Sequence, residues 1–571
     1  MADSKIYTNS LALPRYAANL AVMLKNNALN YGENPVFQEN KAGSLVTTTW
    51  STFYNRIVFL QALLAENNFR PGDRLAILSR NSLNMLEMEM AVMSMGAVSV
   101  PIFSEYPGNQ ADRLLKFCEP AFIAVADQGQ YDKIQEPGSY RGIISFEPLT
   151  RTRSDNLIFP DTGNVPVNGA EINGLDIAPD TITLMMYTSG TMGLPKCVQL
   201  THSNILSQQA AMKALWDLNR HDRFLSYLPW HHSFGGIFEK FAALVNGAVI
   251  SLENGFGKDI NILLENWKLV KPTVFFSVPR IYQALATQIQ NDPEVESIIF
   301  HDDLRFIFTA AAPLPTNISD IFKDHGVPVL EGWGLTETSP CCTITDPALP
   351  REEGVVGVPI PGVSLKLSAD GEINVKGPNV MRGYYNNPEA TKKVLNSAWF
   401  STGDIGEYAD TGLKLISRKD RIFKLSNAEK VIPSEIENLI TRDCAYLAHA
   451  LIVGSGRDYP VILLFPNKEL LARSQGKERR ADGCECPETL KDFSNCINNC
   501  LPRWNDSISA KYSQLKKAIL LDYELSIENE ELTPSMKLAP NVVGRVFKAQ
   551  IENLYGAEGP AAEKVYIIDL E

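Results

Sequence analysis

Residues 187–196, with the sequence YTSGTMGLPK, bring together in one short stretch the groups that hold a phosphate. Glycines let the backbone turn tightly and bring its N–H groups up to an anion. Hydroxyl groups add hydrogen-bond donors, and a lysine adds a positive charge. The pattern predicts a phosphate-binding loop, with an ordinary polar turn as the alternative. The residues that would form the loop are Thr188, Ser189, Gly190, Thr191, Gly193 and Lys196.

This loop differs from the phosphate loop of the common nucleotide hydrolases and kinases. That motif needs four residues between its glycines and a serine or threonine directly after its lysine. Here only Thr191 and Met192 separate the two glycines, and Cys197 follows the lysine. The spacing therefore argues against an enzyme of that kind.

A second candidate is the segment 331–338, EGWGLTET, which follows the apolar residues 327–330. The apolar residues predict a strand, and the glycine–aromatic–glycine sequence predicts a turn. In such a turn the two flanking glycines have no side chains, so a planar ligand can lie flat on the ring of Trp333. Glu337 supplies a hard carboxylate oxygen, which suits a magnesium ion that also holds phosphate oxygens. The alternative is that Glu337 only caps a helix.

Two polar segments are ambiguous by themselves. The sequence before Asp404 predicts a tight turn, and a carboxylate after such a turn can accept hydrogen bonds from both hydroxyls of a ribose. His231 and His232 are adjacent and lie beside aromatic residues. Side chains of adjacent residues diverge on a strand, and no third ligand stands at a suitable spacing, so we reject a zinc site there.

Taken together and in this order, the motifs resemble those of the adenylate-forming superfamily: acyl-CoA synthetases, peptide-synthetase adenylation domains and luciferases. They are most similar to the long-chain fatty acyl-CoA synthetase branch. The resemblance covers nearly the whole chain and rests on residues 187–196, 224–236, 331–338, 399–404, 417–426 and 527–538. It implies an α/β fold with a large N-terminal domain of helix-covered sheets and a small mobile C-terminal α+β domain. The implied bounds are 1–417 for the large domain, 418–420 for a hinge and 421–571 for the small domain.

The resemblance also implies roles for the residues that bind the nucleotide. Trp333 would stack on adenine, Thr336 would bind the α-phosphate, and Glu337 would hold magnesium. Asp404 would bind the ribose, and Arg418 would contact the ribose and phosphate region.

Two further residues acquire roles from the same resemblance. His232 corresponds to a histidine that lines the acyl pocket. Lys537 corresponds to a terminal lysine that bridges the reacting centres and stabilises charge there. Lys537, Thr336 and His232 are therefore the predicted catalytic residues.

The implied function is activation of a medium- or long-chain fatty acid by ATP and magnesium to acyl-AMP, followed by transfer to coenzyme A. One alternative is a fatty acyl-AMP ligase that passes the acyl group to an acyl carrier protein. Another is a nucleotide-binding pseudoenzyme or regulator, against which the intact Lys537, Glu337 and Asp404 argue. The chain departs from the family at Ala428, where glycine is usual, and in residues 309–315, where alanine replaces two glycines.

Composition agrees with a folded multidomain protein. The chain has 571 residues, 45% of them apolar and 21% charged, so we expect two or more domains. A net charge of −13 argues against nucleic-acid binding. No apolar run is long enough to span a membrane, and the first residues lack a signal pattern, so we expect a cytoplasmic protein with at most peripheral membrane contact.

The nine cysteines predict reduced thiols rather than a disulfide framework. Four of them cluster near the C-terminal end: Cys484, Cys486, Cys496 and Cys500. The last two stand four residues apart and would share one helix face. A metal site is one possibility for this cluster, and helix packing or surface thiols are the other.

Overall fold

The structure is a computed structural model that describes residues 5–163, 171–188, 196–310, 314–352, 354–474, 487–533, 536–556 and 565–569. The chain divides into two units. The first contains residues 1–188, 195–402 and 407–414, and the second contains residues 189–194, 403–406 and 415–571. Alternating strands and helices confirm the predicted α/β class.

The first sheet carries the strand before the predicted phosphate loop. Its central strands run parallel and are buried along almost their whole length, as expected when helices cover both faces. The two strands on either side of the loop pair antiparallel. In spatial order the eight strands are Gly383–Tyr384, Lys196–Thr201, Ile182–Thr188, Val98–Ile102, Arg74–Leu78, Phe122–Val125, Gly142–Ser145 and Leu157–Ile158.

The second sheet carries the glycine–tryptophan–glycine segment. It is parallel in its centre and antiparallel at both edges. In spatial order its nine strands are Val358–Pro359, Cys341–Ile344, Val329–Gly334, Phe306–Ala310, Val274–Ser277, Arg223–Ser226, Val249–Leu252, Pro35–Lys41 and Ser44–Thr49.

A third sheet is smaller and mostly antiparallel. Gly412–Arg418 pairs with its longest strand, Trp399–Ala409. The remaining four strands are Ile6–Thr8, Ser364–Leu367, Glu372–Lys376 and Leu395–Asn396.

Several helices of the first unit begin where the sequence supplies capping side chains. Thr201 and Asn204 form a reciprocal capping box at the start of His202–Trp216, the helix that follows the strand after the phosphate loop. The methionine-rich helix Leu83–Ser94 is buried, which confirms that its methionines fill the core. The other helices are Leu20–Tyr31, Trp50–Glu66, Gly108–Cys118, Gln128–Tyr131, Lys240–Val245, Ile260–Val270, Pro279–Asn291, Pro293–Ile299, Thr316–Asp324 and Pro388–Val394. Shorter helical turns are Pro137–Ser139, Phe234–Glu239 and Thr336–Thr338.

The second unit is built on a four-stranded sheet with apolar cores on both faces. Along its strands, successive residues alternate between two clusters: Ile462 and Leu464 belong to one, whereas Leu463 and Phe465 belong to the other. The sheet contains Leu447–Val453, Val461–Pro466, Lys517–Leu521 and Val565–Asp569. A separate hairpin pairs Phe423–Lys424 with Lys430–Val431.

The helices of this second unit make it an α+β structure, as predicted. They are Pro433–Asp443, Lys468–Ser474, Leu490–Asp506, Pro540–Val546 and Lys548–Leu554, with a short turn at Lys511–Ser513. Across both units, none of the helices that the structure describes is long and apolar enough to cross a membrane.

Candidate functional site

The two ends of the predicted phosphate loop are held by one antiparallel ladder. Thr188 ends its strand directly opposite Lys196, which begins the next. The Thr188 hydroxyl donates to the Lys196 carbonyl oxygen at 3.4 Å. The pairing fixes the separation of the loop ends, so a threonine hydroxyl and a lysine ammonium lie at the same mouth. Ser189, Gly190, Thr191 and Gly193 lie outside the described residues.

Tyr384 connects this mouth to the predicted magnesium ligand. Its ring lies under the Lys196 ammonium, with Nζ 4.8 Å from the ring centre. Its hydroxyl donates a hydrogen bond of 2.8 Å to Oε1 of Glu337. Both Tyr384 and Glu337 are buried, at 5% and 9% exposure, so this bond is shielded from water. The aromatic residue thus sets the positions of a cation and a carboxylate together.

Glu337 is also held through its backbone. It lies in the short helical turn Thr336–Thr338, and its carbonyl oxygen accepts from the Met381 N–H at 2.8 Å. A buried carboxylate with an oriented oxygen fits a hard cation such as magnesium, which is bound in proteins by one or two carboxylates together with phosphate oxygens. Among the residues that the structure describes, no group of three or more histidine, cysteine, aspartate or glutamate side chains could hold a metal.

The predicted turn around Trp333 is wrong. Trp333 lies within the strand Val329–Gly334, where it pairs with Thr343 of the neighbouring strand. The two glycines leave room for neighbouring groups that a side chain would strike. A Cβ on Gly334 would stand 1.7 Å from the Pro340 carbonyl oxygen, and one on Gly332 would stand 2.7 Å from the Phe308 ring. Glycine–aromatic–glycine predicts a turn by composition, but here it marks tight packing beside the site. Trp333 is 7% exposed.

Thr336 and the histidine segment meet in the structure. The Thr336 hydroxyl lies 3.2 Å from that of Ser233, the residue after His232. His232 Nδ1 accepts from the Phe234 N–H at 3.3 Å, which places the ring proton of a neutral His232 on Nε2. His231 instead lies against Phe103, at 4.4 Å between ring centres. The two histidine rings therefore have different surroundings.

The turn that carries His232 is fixed by buried polar contacts behind it. Ser226 donates to Glu239 at 2.6 Å, and burial raises the pKa of the Glu239 carboxyl well above its usual range. Lys240 forms an ion pair with Glu89, and both side chains are fully buried. A buried pair of this kind is costly to break, since either charge alone would be left without compensation.

Within the second unit, Asp404 and Arg418 form a direct ion pair. Arg418 Nη1 donates to Asp404 Oδ1 at 2.9 Å, and Arg418 also lies 3.6 Å from Asp420. Gly403 takes a positive φ of 75°, and the Lys419 N–H donates to its carbonyl oxygen at 2.7 Å. These contacts place a carboxylate and a guanidinium side by side, which is a suitable pair for ribose hydroxyls and a phosphate.

Lys537 belongs to the same group of charges. The backbone N–H of Lys537 donates to the Thr533 hydroxyl at 3.1 Å. The backbone N–H of Thr533 donates to the Lys537 carbonyl oxygen at 2.8 Å. The side chain keeps an exposed surface, yet enough protein surrounds it that desolvation lowers the pKa of its ammonium. Asp404 partly offsets this shift, whereas Arg418 adds to it. The structure thus brings Lys537, Asp404 and Arg418 within electrostatic reach of one another.

Sequence reasoning missed two residues of this arrangement. Tyr384 lies outside the motifs that identified the site, and Ser233 follows a more conspicuous pair of histidines. No motif spacing identifies either contact, because Tyr384 and Glu337 are 47 residues apart and meet only through the fold. Of the two alanines that replace family glycines in residues 309–315, Ala310 ends the strand Phe306–Ala310, and Ala311 lies outside the described residues.

The sequence and its relatives define the class. The sequence model of the AMP-binding enzyme family matches residues 24–385, and that of the AMP-binding enzyme C-terminal domain matches residues 420–559. The chain therefore belongs to the AMP-binding enzyme family, the adenylate-forming superfamily that its motifs resemble.

Particular relatives narrow the comparison. Long-chain-fatty-acid–CoA ligase 5 of Rattus norvegicus is 26% identical over 88% of this chain and 83% of its own length. Long-chain-fatty-acid–CoA ligase 6 of Homo sapiens is 28% identical over 88% of this chain and 81% of its own. The crystal structure of ATP-bound MatB from Rhodopseudomonas palustris superposes with a TM-score of 0.73 at 22% identity, covering 93% of this chain and 99% of MatB. The structural likeness establishes the fold, and the sequence likeness supports the acid–CoA ligase class.

The Tyr384 contact predicts a specific effect of removing one hydroxyl. Tyr384→Phe keeps the ring under Lys196 but leaves the buried Glu337 without its hydrogen bond. Residues that orient a metal ligand typically contribute about 10- to 100-fold to metal affinity, so we expect the magnesium concentration needed for ATP binding to rise by about tenfold. Calorimetric titration of ATP at graded magnesium concentrations measures this.

The neighbouring tyrosine offers a matched control. The Tyr385 hydroxyl donates to Glu119 at 2.8 Å, away from these contacts. Tyr385→Phe should leave the magnesium dependence unchanged. Equal shifts in both variants, or none in Tyr384→Phe, would show that the Tyr384 hydroxyl does not position Glu337 for a cation.

Proposed function

We propose that the protein activates a medium- or long-chain fatty acid with ATP to form acyl-AMP and pyrophosphate, and then transfers the acyl group to coenzyme A. The observation that carries this proposal is the Lys196–Tyr384–Glu337 arrangement at the mouth of the loop, in a chain of the AMP-binding enzyme family. The fatty acid and coenzyme A rest on the relatives, whose names include long-chain-fatty-acid–CoA ligases.

The first step requires a carboxylate oxygen of the acid to attack the α-phosphorus of ATP while the bond to the β-phosphate oxygen breaks. Lys196 and the Thr188 hydroxyl would hold the departing phosphates. Thr336 would bind the α-phosphate, and the proton on His232 Nε2 could face the acyl group. The chain contributes positioning and charge rather than covalent chemistry. A magnesium ion on Glu337 would supply further neutralisation of the phosphate charge.

Three residues of the second unit also have roles in this proposal. Asp404 would accept hydrogen bonds from the ribose hydroxyls, and Arg418 would exchange part of its ion pair for the nucleotide. Lys537 would stabilise the charge that develops around the α-phosphate. Desolvation lowers the pKa of the Lys537 ammonium and Asp404 opposes that shift, so the negative charge of a bound nucleotide would further favour the protonated form of Lys537.

Two expectations from the sequence stay predictions within this proposal. The first is a hinge at residues 418–420, which would move Lys537 away before thioester formation. The second is a cytoplasmic location. Neither is needed for the adenylation chemistry.

Product analysis tests the proposal directly. The purified protein is incubated with ATP, magnesium and a panel of acids from medium-chain to long-chain and aromatic, with and without coenzyme A, and the products are identified by mass spectrometry. Acyl-CoA from fatty acids supports the full reaction. Acyl-AMP that accumulates despite coenzyme A would indicate another acceptor, such as a carrier protein, and absence of both products across the panel would refute the proposal.

Lys537→Ala is expected to separate the two steps. Removing a group that stabilises transition-state charge costs about 100- to 1,000-fold in rate, so adenylation should fall by that factor. Thioester formation from supplied acyl-AMP should continue. Lys548→Ala, which removes an exposed lysine of the same unit, should affect neither step. Equal loss of both steps in Lys537→Ala would contradict its assignment to adenylation.

Ala428 gives a prediction about the second step. The residue takes a left-handed φ of 67° in the loop between Phe423–Lys424 and Lys430–Val431, although a Cβ makes that conformation costly by about 1–2 kcal/mol. Glycine is usual at this position in the family. We expect Ala428→Gly to leave adenylation within about twofold, since no adenylation contact is removed, and to raise the rate of coenzyme A transfer.

Ala42 provides a control for the relief of backbone strain that any change from alanine to glycine at a positive φ would bring. It is an exposed turn alanine with a φ of 52° in the first unit. Ala42→Gly should relieve similar strain without changing either step. Unchanged coenzyme A kinetics in Ala428→Gly would show that the Ala428 methyl does not limit access of the thiol.

A further inference from the structure

Two cysteines lie at the margin of the buried face of helix Leu490–Asp506 in the second unit. Phe493, Ile497 and Leu501 form the buried stripe of this helix, at the four-residue spacing that keeps them on one face. Cys496 and Cys500 each stand one position before a residue of the stripe. They are therefore half-buried: they pack against the core, yet part of each side chain remains open to solvent.

The surroundings of Cys500 stabilise a thiolate. Cys496 lies one turn earlier on the same helix, at the four-residue spacing that places both thiols on one face. Arg503 lies one turn later, with Nη2 3.7 Å from Cys500 Sγ. Together they lower the pKa of the Cys500 thiol to about 6, with Cys496 as the larger cause, while burial and the charge of Asp443 oppose the shift.

Other described cysteines have the opposite character. Cys118, Cys197 and Cys341 are buried, and burial raises the pKa of each thiol, to about 12 for Cys118 and well above its usual range for the other two. A buried thiol with a raised pKa is inert. Among the cysteines that the structure describes, Cys500 thus combines partial exposure with a stabilised thiolate.

We propose that Cys500 is a site of reversible covalent modification, at which it forms a mixed disulfide with a small anionic disulfide. The Cys500 thiolate attacks one sulfur of the small molecule. A new S–S bond forms to Cys500, the original S–S bond breaks, and the departing sulfur leaves as a thiolate. The disulfide itself is the oxidant, and a second small thiol reverses the step. Arg503 favours an anionic partner because it brings a positive charge to the point of attack.

The pKa of the attacking thiol gives this site a characteristic pH dependence. At pH 6 about half of Cys500 would be thiolate, against well under 1% of a thiol with the ordinary pKa of about 8.5. Intrinsic reactivity falls as the pKa falls, with a Brønsted coefficient of about 0.4–0.5, so the net advantage is about tenfold at pH 6. Above about pH 8 the order should reverse, because both thiols are then largely ionised and the less acidic one is more nucleophilic.

The test uses the full chain and oxidised glutathione as the probe. Peptide mass spectrometry follows the adduct at each cysteine between pH 5.5 and 9, beside an unstructured single-cysteine peptide. We expect the adduct on Cys500, about tenfold faster than on the peptide at pH 6 and slower than on the peptide at pH 9. Arg503→Gln should raise the pH of half-maximal reaction. Arg545→Gln, which removes an exposed arginine elsewhere in the unit, should not.

A second probe tests the geometry without relying on acidity. Phenylarsine oxide bridges two thiols that lie close together, so one equivalent should protect both Cys496 and Cys500 from subsequent alkylation. The proposal is overturned if the arsenical fails to protect the pair, if Cys496 rather than Cys500 carries the adduct, or if Cys500 reacts with the pH profile of the peptide. The outcome is independent of which acid the protein activates.

Discussion

The hydrogen bond from Tyr384 to Glu337 is the constraint on which the nucleotide-facing part of the first unit depends. One aromatic side chain contacts the lysine at the end of the phosphate loop and the carboxylate predicted to hold magnesium. Because that bond is buried, its strength does not depend on competition with water, and displacement of Glu337 would leave two polar groups unpaired. The cation and the carboxylate therefore keep their separation before any ligand arrives.

Electrostatic balance in the second unit has a different character. Asp404 and Arg418 already satisfy each other, and Lys537 has a lowered pKa beside them. A nucleotide would have to compete for the Asp404 oxygens while its phosphates compensated Arg418 and Lys537. Binding of the nucleotide and protonation of Lys537 are then linked, since each favours the other. The first unit thus contains a cation and a carboxylate that contact one tyrosine, whereas the second contains an ion pair beside a lysine whose pKa is lowered.

Much of the fold follows from local sequence. The strand before the loop and the methionine-rich helix are mostly apolar runs that are buried along most of their length, and their lengths distinguish strand from helix. The Gly332–Trp333–Gly334 segment could not be predicted in this way. Its glycines are required by the ring of Phe308 in a neighbouring strand and by the carbonyl oxygen of Pro340 just before another strand, and composition alone cannot distinguish that requirement from a turn.

The site was predictable as a set of motifs but not as a set of contacts. Lys196, Glu337 and Asp404 were identified from spacing and family resemblance, and their roles stay predictions. The contacts of Tyr384, Ser233 and Cys500 were not predictable, because each depends on distances set by packing. The i, i+4 spacing of Cys496 and Cys500 did indicate a shared helix face, whereas the acidity of Cys500 also depends on Arg503.

Exchange of labelled pyrophosphate into ATP tests the central claim, that this protein forms an acyl-adenylate, most directly. The exchange reports reversal of the adenylation step and needs no acceptor thiol. The account predicts incorporation of label only when both magnesium and a fatty acid are present. Incorporation that is independent of added acid, or none with any acid of the panel while ATP still binds, would contradict it.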